Sequence, residues 1–201
     1  MDAAVKTRAD RLPAPARLRI SAGPTAPAGE LQSFALLLPA TLRLDPRGIR
    51  RCPLTVEELV AADPRRCRRS RVGSGTVTRI AADGTPSTFR LRFLRGGGDE
   101  ISVRYSGASS GALVTDIADD GYRFELPVEW ITGPGFRFGG LTLSLGRTSG
   151  RSIVRMEGCG GGRATIGFTF RYPSVPLPDG TGEAAAQESY QRPVTCVRPA
   201  G

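Results

Sequence analysis

The chain contains no histidine. That absence removes the Ser-His-Asp and Cys-His mechanisms, the usual general base near neutral pH, and every zinc site that uses imidazole. Lysine is nearly missing too: Lys6 stands alone among 28 basic residues, and the rest are arginine. A GC-rich genome gives such an imbalance through codon bias, yet the net charge of +9 still attracts anionic polymers. Long apolar runs are also lacking. "FALLLPA", Phe34 to Ala40, is the longest, far short of the roughly 18 residues that cross a bilayer as a helix. No two cysteines form a C-x-x-C pair, which argues against a four-cysteine zinc site or a thioredoxin-like redox site. The opening "MDAAVKTRADRLPAPA" carries no apolar core of a secretory signal, so an export signal is removed from this chain or encoded upstream, or the protein is cytosolic; the cysteines favour the first two.

What is present is punctuation. Gly 26 and Pro 16 make up about a fifth of the 201 residues, a mix that favours short strands joined by turns over a helix bundle. Four cysteines allow three pairings. Their grouping, two near neighbours and two distant residues, favours Cys52–Cys67 and Cys159–Cys196. Loops of those lengths would contribute roughly 3 and 4 kcal/mol in the chain-entropy model, and two bridges imply an oxidising compartment.

Residues 1–16 read as a flexible N-terminal segment, and 17–198 as a single domain. Thr55 and Glu58 have capping-box spacing ahead of an apolar stripe of Val56, Leu59 and Val60, which predicts one short helix at about residues 55–62. Cys52 and Cys67 would staple it. Beyond Cys67 the pattern has period two. "TFRLRFL" puts Phe89, Leu91 and Phe93 inward; "EISVRYS" does the same with Ile101, Val103 and Tyr105; "ATIGFTFRY" with Ile166, Phe168, Phe170 and Tyr172. In "GYRFELPVEWI", Tyr122, Phe124, Leu126, Val128 and Trp130 share the apolar face, with Pro127 marking an edge or a bulge. Trp130 is therefore expected in the core. Short strands separated by Gly-rich turns point to an all-β antiparallel β-sandwich with one disulfide-stapled helix.

Candidate sites are few. "VGSGTVTRI" lacks the lysine of a phosphate-binding loop and runs into β-branched residues, so its glycines read as a bulge or bend at a strand entrance. "GASSG" around Ser109 fits the nucleophile-elbow pattern but has no histidine to serve it, and reads as a hairpin loop. Asp116, Asp119 and Asp120 offer oxygen ligands without the spacing of a calcium loop, and no metal or cofactor is expected. Glu125 and Glu129, four apart on one strand, would stand about 13 Å apart, too far for a glycosidase pair. The strongest surface feature is arginine: Arg50, Arg51, Arg65, Arg66, Arg68, Arg69 and Arg71 lie in one segment. A solvated basic loop is the favoured reading of this segment; if it binds an anion instead, Arg65, Arg66, Arg68, Arg69 and Arg71 are the candidate residues. Nucleic acid is the less favoured anion, because no aromatic residue interleaves the charge.

The order "LRLDPRGIRRC" (42–52), a short helix, Cys67, "SRVGSGT" (70–76), Cys159, the strand 163–172 and Cys196 resembles a group of uncharacterised exported proteins of GC-rich actinobacteria. The resemblance spans most of residues 31–196 and implies an extracytoplasmic, cell-envelope or secreted location, with no catalytic residue to carry over. The expected function is thus a non-enzymatic structural or binding module of the cell envelope; the sequence identifies no partner, and an anionic or carbohydrate envelope polymer is the candidate. Two alternatives are a carbohydrate-binding or glycan-active domain, with Trp130 or a tyrosine as a stacking platform, and polyanion binding through the 50–71 segment.

Overall fold

The computed structural model describes residues 2–7, 13–23, 30–63, 65–118, 121–147, 150–158, 163–173, 175–176, 183–184 and 187–197. Within the 1–16 segment, β1 (Asp2–Thr7) is a strand paired antiparallel with β2 (Ala14–Ala22). The anchor is Val5, which lies opposite Leu18 and is buried. Two short strands follow, β3 (Ser33–Leu37) and β4 (Leu42–Leu44). Then comes α1 (Val56–Ala61), capped as its sequence predicts: the Thr55 hydroxyl accepts the Glu58 N–H and the Glu58 carboxylate accepts the Thr55 N–H. A single 3₁₀ turn, Arg68–Ser70, leads into β5 (Arg71–Ile80).

The next strands form a meander: β6 (Pro86–Arg95), β7 (Glu100–Ser106) and β8 (Ser110–Asp116). After β9 (Arg123–Pro127) and α2 (Glu129–Thr132) come β10 (Arg137–Gly146), β11 (Val154–Met156) and β12 (Arg163–Arg171). The two-residue strands β13 (Val175–Pro176) and β14 (Glu183–Ala184) pair with each other, and β15 (Gln187–Val197) ends the described chain.

One layer runs β8-β7-β6-β5-β10-β2-β1 and the other β15-β12-β3-β9. They join through β1 and β15, which pair in parallel, while all other strand pairs are antiparallel. At the far edges, Ile117 bridges to Phe124 and the Thr115 hydroxyl donates to the Glu125 carbonyl. Aromatic contacts show the layers face to face: Phe93 on β6 meets Phe124 on β9, and Phe138 on β10 meets Phe170 on β12, each at 5.9 Å between ring centres. Phe34, Phe89, Phe93, Phe124, Phe138 and Phe168 are all fully buried, each stabilising the fold by about 1.5–3 kcal/mol relative to exposure. The predicted alternation holds on β6, where Phe89, Leu91 and Phe93 point inward between outward arginines.

The "VGSG" glycines do mark a bulge: the register shifts between Arg71 and Gly73. They have a second role. A Cβ on Gly73 would meet the Ser144 carbonyl at 2.7 Å, and one on Gly75 would meet the Thr142 carbonyl at 2.2 Å. Glycine here lets β10 lie close against β5.

The strand expected through Trp130 stops at Pro127, on the edge strand β9. Val128 adopts helical angles and is fully buried. Once the chain coils, Val128 and Ile131, three apart, take the inward face, and Trp130 swings out to 69% exposure. The expectation of a core tryptophan is therefore corrected: helical geometry replaces the pleat two residues before it.

Candidate anion-binding cleft

The disulfide Cys52–Cys67 closes a loop of sequence separation 15, with its Cα atoms 5.2 Å apart. Both cysteines are buried with Leu59 of α1 against Leu94 of β6, a small satellite core that Leu54 and Ala112 flank. The capping box and this apolar contact together hold a helix too short to persist alone. Leu59 faces inward, so the segments flanking each cysteine are left on the outside.

Those segments carry the arginines. Arg50 and Arg51 precede Cys52, and Arg65, Arg66, Arg68 and Arg69 surround Cys67. Ser70, buried and donating its N–H to the Cys67 carbonyl at 3.0 Å, turns the chain so that Arg68 and Arg69 stay exposed. Arg71 opens β5, its Nε donating to the Gly73 carbonyl at 3.3 Å. The other side of the loop is fastened to β6. Cys52 N–H donates to the Arg95 carbonyl at 2.9 Å, and the Arg95 guanidinium donates to the carbonyls of Ile49 and Arg47.

Two further arginines arrive from a distant part of the sequence. The connection between β10 and β11 is tied down by the Asp45 N–H, which donates to the Ile153 carbonyl at 2.7 Å, and by the pairing of β11 with β4. This brings Arg147 and Arg151 to the same place. The result is an open cleft of about 960 Å³ lined by nine arginines: 50, 51, 65, 66, 68, 69, 71, 147 and 151. All nine are exposed, and among the described residues no acidic side chain lines the cleft. Among the described residues, the ion pairs join Arg123 and Arg171 to Glu125 and Arg155 to Glu157, and none involves a cleft arginine.

The positive field extends past the rim onto the sheet. Arg92 of β6 and Arg104 of β7 stand directly opposite each other. Partial burial, then the charges of Arg71 and Arg104, push the Arg92 guanidinium below its ordinary value, with Asp63 opposing them. Like charges directly across a ladder cost stability. Guanidinium groups are weakly hydrated forks that match phosphate and carboxylate oxygens in pairs, so the arrangement is chemically suited to a multivalent anion.

The five arginines singled out from the sequence, 65, 66, 68, 69 and 71, are thus brought together, with Arg50 and Arg51 beside them. Arg147 and Arg151 were missed. Their only sequence signal is a turn-like "GRTSGRS", which says nothing of its neighbour in space. The second predicted disulfide, Cys159–Cys196, involves Cys159, which lies outside the described residues, as do Asp119 and Asp120. Ser109 sits in the turn between β7 and β8, as a hairpin loop should. Glu125 does not face Glu129 along a strand, since Glu129 belongs to α2. Instead Glu125 accepts the Ser33 hydroxyl at 2.7 Å and pairs with Arg123 and Arg171.

No protein-family model, no curated protein and no solved structure matches the chain.

Proposed function

We propose that the protein is a non-enzymatic binding module that works outside the cytoplasm, in the cell envelope, and holds an anionic envelope polymer in the arginine cleft. One observation carries this reading: nine arginines from two separate parts of the chain line a single groove that, among the described residues, has no carboxylate in its lining. A charge run that served only solubility would be spread over the surface or interleaved with acids. The staple Cys52–Cys67 supports an oxidising compartment. Among the described residues no helix is long and apolar enough to cross a membrane.

A polymer fits better than a small anion. The cleft holds about 960 Å³ and nine guanidinium groups, more than one small anion would occupy, and each group would contribute a modest, salt-screened contact. Among the described residues no aromatic side chain lines it, so nucleic-acid bases would find nothing there to stack on. A polymer whose anionic groups project from a non-aromatic backbone is the better match.

The experiment is a salt titration. Immobilised long-chain polyphosphate and isolated anionic wall polymer are each presented to the protein at low and then rising salt. Binding should fall steeply with salt, with a slope that records the number of contacts. Replacing Arg65, Arg66, Arg68 and Arg69 by Gln should abolish most of the binding and flatten that slope. Failure to bind either polymer at low salt would sink the proposal.

A further inference from the structure

We infer a second ligand site, built for a neutral saccharide, around Trp130. It uses residues distinct from those of the arginine cleft and does not depend on that reading. Trp130 is the chain's single tryptophan, and it is 69% exposed on α2. It opens onto a groove of about 390 Å³ shared with Glu30, Gln32, Glu129, Pro134 and Pro173. That volume falls in the range of small-molecule sites.

The groove is fixed before any ligand arrives. The Glu129 N–H donates to the Gln32 carbonyl at 3.1 Å, holding α2 against the chain leading into β3. Glu30 Oε1 accepts the Gly135 N–H at 2.9 Å, which aims that carboxylate. The Arg79 guanidinium donates to the Thr132 carbonyl and stacks 3.7 Å from the Phe136 ring centre, pinning the helix's other end. Ile131 and Val128 anchor the helix in the core, so the outward pose of Trp130 is dictated from below.

The chemistry of the lining selects the ligand. Among the described residues no arginine or lysine lines this groove, while two carboxylates do. The lining therefore offers an anionic polymer no cation of its own to pair with. The two carboxylates would attract a cation too, but among the described residues Trp130 is the single aromatic in the lining, so no aromatic cage encloses one. A flat indole bordered by proline C–H surfaces, with carboxylate and amide acceptors at its rim, matches the C–H face and hydroxyl donors of a pyranose ring. Arg79, tied to α2, stands near one end of β5, and Arg71, in the cleft, starts the other. The two sites are thus separated by roughly 26 Å of strand and can be read independently.

The single tryptophan makes the test direct. Tetrasaccharides of N-acetylglucosamine, glucose (β- and α-linked) and mannose are titrated into the wild-type protein, following fluorescence and acrylamide quenching. At least one is expected to shift the emission to the blue and protect Trp130 from quencher. Glu30→Gln and Glu129→Gln should each weaken that sugar about fivefold. By calorimetry, Trp130→Ala should lose it entirely while keeping the wild-type melting temperature and polyphosphate binding. The four-arginine variant should bind the sugar normally. The inference is overturned if no tetrasaccharide protects Trp130, or if choline or oligolysine protects it instead.

Discussion

The Cys52–Cys67 disulfide places the arginines that precede the first cysteine on the same cleft as those that surround the second. Arg51 and Arg68 each adjoin a bridged cysteine, so a crosslink with Cα atoms 5.2 Å apart concentrates charge that the chain would otherwise spread apart. Repulsion among the guanidinium groups opposes this arrangement, at roughly 0.5 kcal/mol for a fully solvated pair about 8 Å apart. The sulfur bridge and the satellite core around Leu59 outweigh it.

Removing the bridge should therefore damage stability and binding together. Cys52→Ser with Cys67→Ser is expected to cost about 3 kcal/mol, or a melting temperature lower by about 6–12 °C. Polyphosphate affinity should fall at a temperature where the variant is still folded. Thermal melts and binding isotherms on the same sample check this, and unchanged affinity would show that the loop does not organise the cleft.

Cleft charge should also make the fold respond to ions in a particular direction. Arg71, Arg92 and Arg104 repel one another across β5, β6 and β7, and the whole chain carries +9. Screening relieves that repulsion. Melting temperature is expected to rise as sodium chloride increases, and to rise further with polyphosphate at constant ionic strength, by ligand linkage. A melting temperature that falls with salt would mean that attractive pairs dominate the surface.

Much of the scaffold was legible beforehand, and the reasons are local. Thr55 and Glu58 announce a capped helix, and the alternation of Phe89, Leu91 and Phe93 needs only a pleat to place it. The arginines of 65–71 are adjacent in sequence, so they remain adjacent in space. Arg147 and Arg151 owe their position to β11 pairing with β4, a contact between residues about a hundred apart that no nearby pattern encodes. Trp130 misled because a four-residue helix is too short to display its own period. The Val128–Ile131 spacing was visible, but Val128 and Trp130 also continued the period-two face of a strand running on past Pro127.

Acid should weaken the edge where β9 meets β3. Burial alone would raise the Glu125 carboxyl, but the Ser33 hydroxyl and then Arg123 and Arg171 outweigh it and hold the group below its ordinary 4.5. A carboxyl depressed in the folded state stabilises the fold above its unfolded value. That contribution fades as pH drops from about 4.5 through the lowered folded value. Because Glu125 is partly exposed, the effect should be modest. Glu125→Gln should lower stability at neutral pH and flatten the acid limb of the denaturation midpoint, as measured by urea unfolding between pH 3 and 7. A wild-type acid limb as flat as the variant's would contradict the ion-pair assignment.

Glycine substitutions test how closely β5 and β10 approach. Gly75 sits opposite Leu143 on one side and Leu91 on the other, in extended backbone. Its constraint is space. An added methyl would lie 2.2 Å from the Thr142 carbonyl oxygen and 2.9 Å from Leu143 Cδ2. A leucine tip can rotate away, but a carbonyl in a strand ladder moves only with its strand. Gly75→Ala must then widen the β5–β10 pair, at an expected 1–3 kcal/mol, about the cost of overpacking a core. Because Arg71 begins the same strand, the widening should also loosen one wall of the cleft and weaken polyphosphate binding. Gly48→Ala is the control: a Cβ there meets nothing within 4 Å, so its stability should stay within about 0.5 kcal/mol of wild type. Equal melting temperatures for the two variants would mean that β10 does not lie against β5 at this register, and the wall that carries Arg71 would need a different partner.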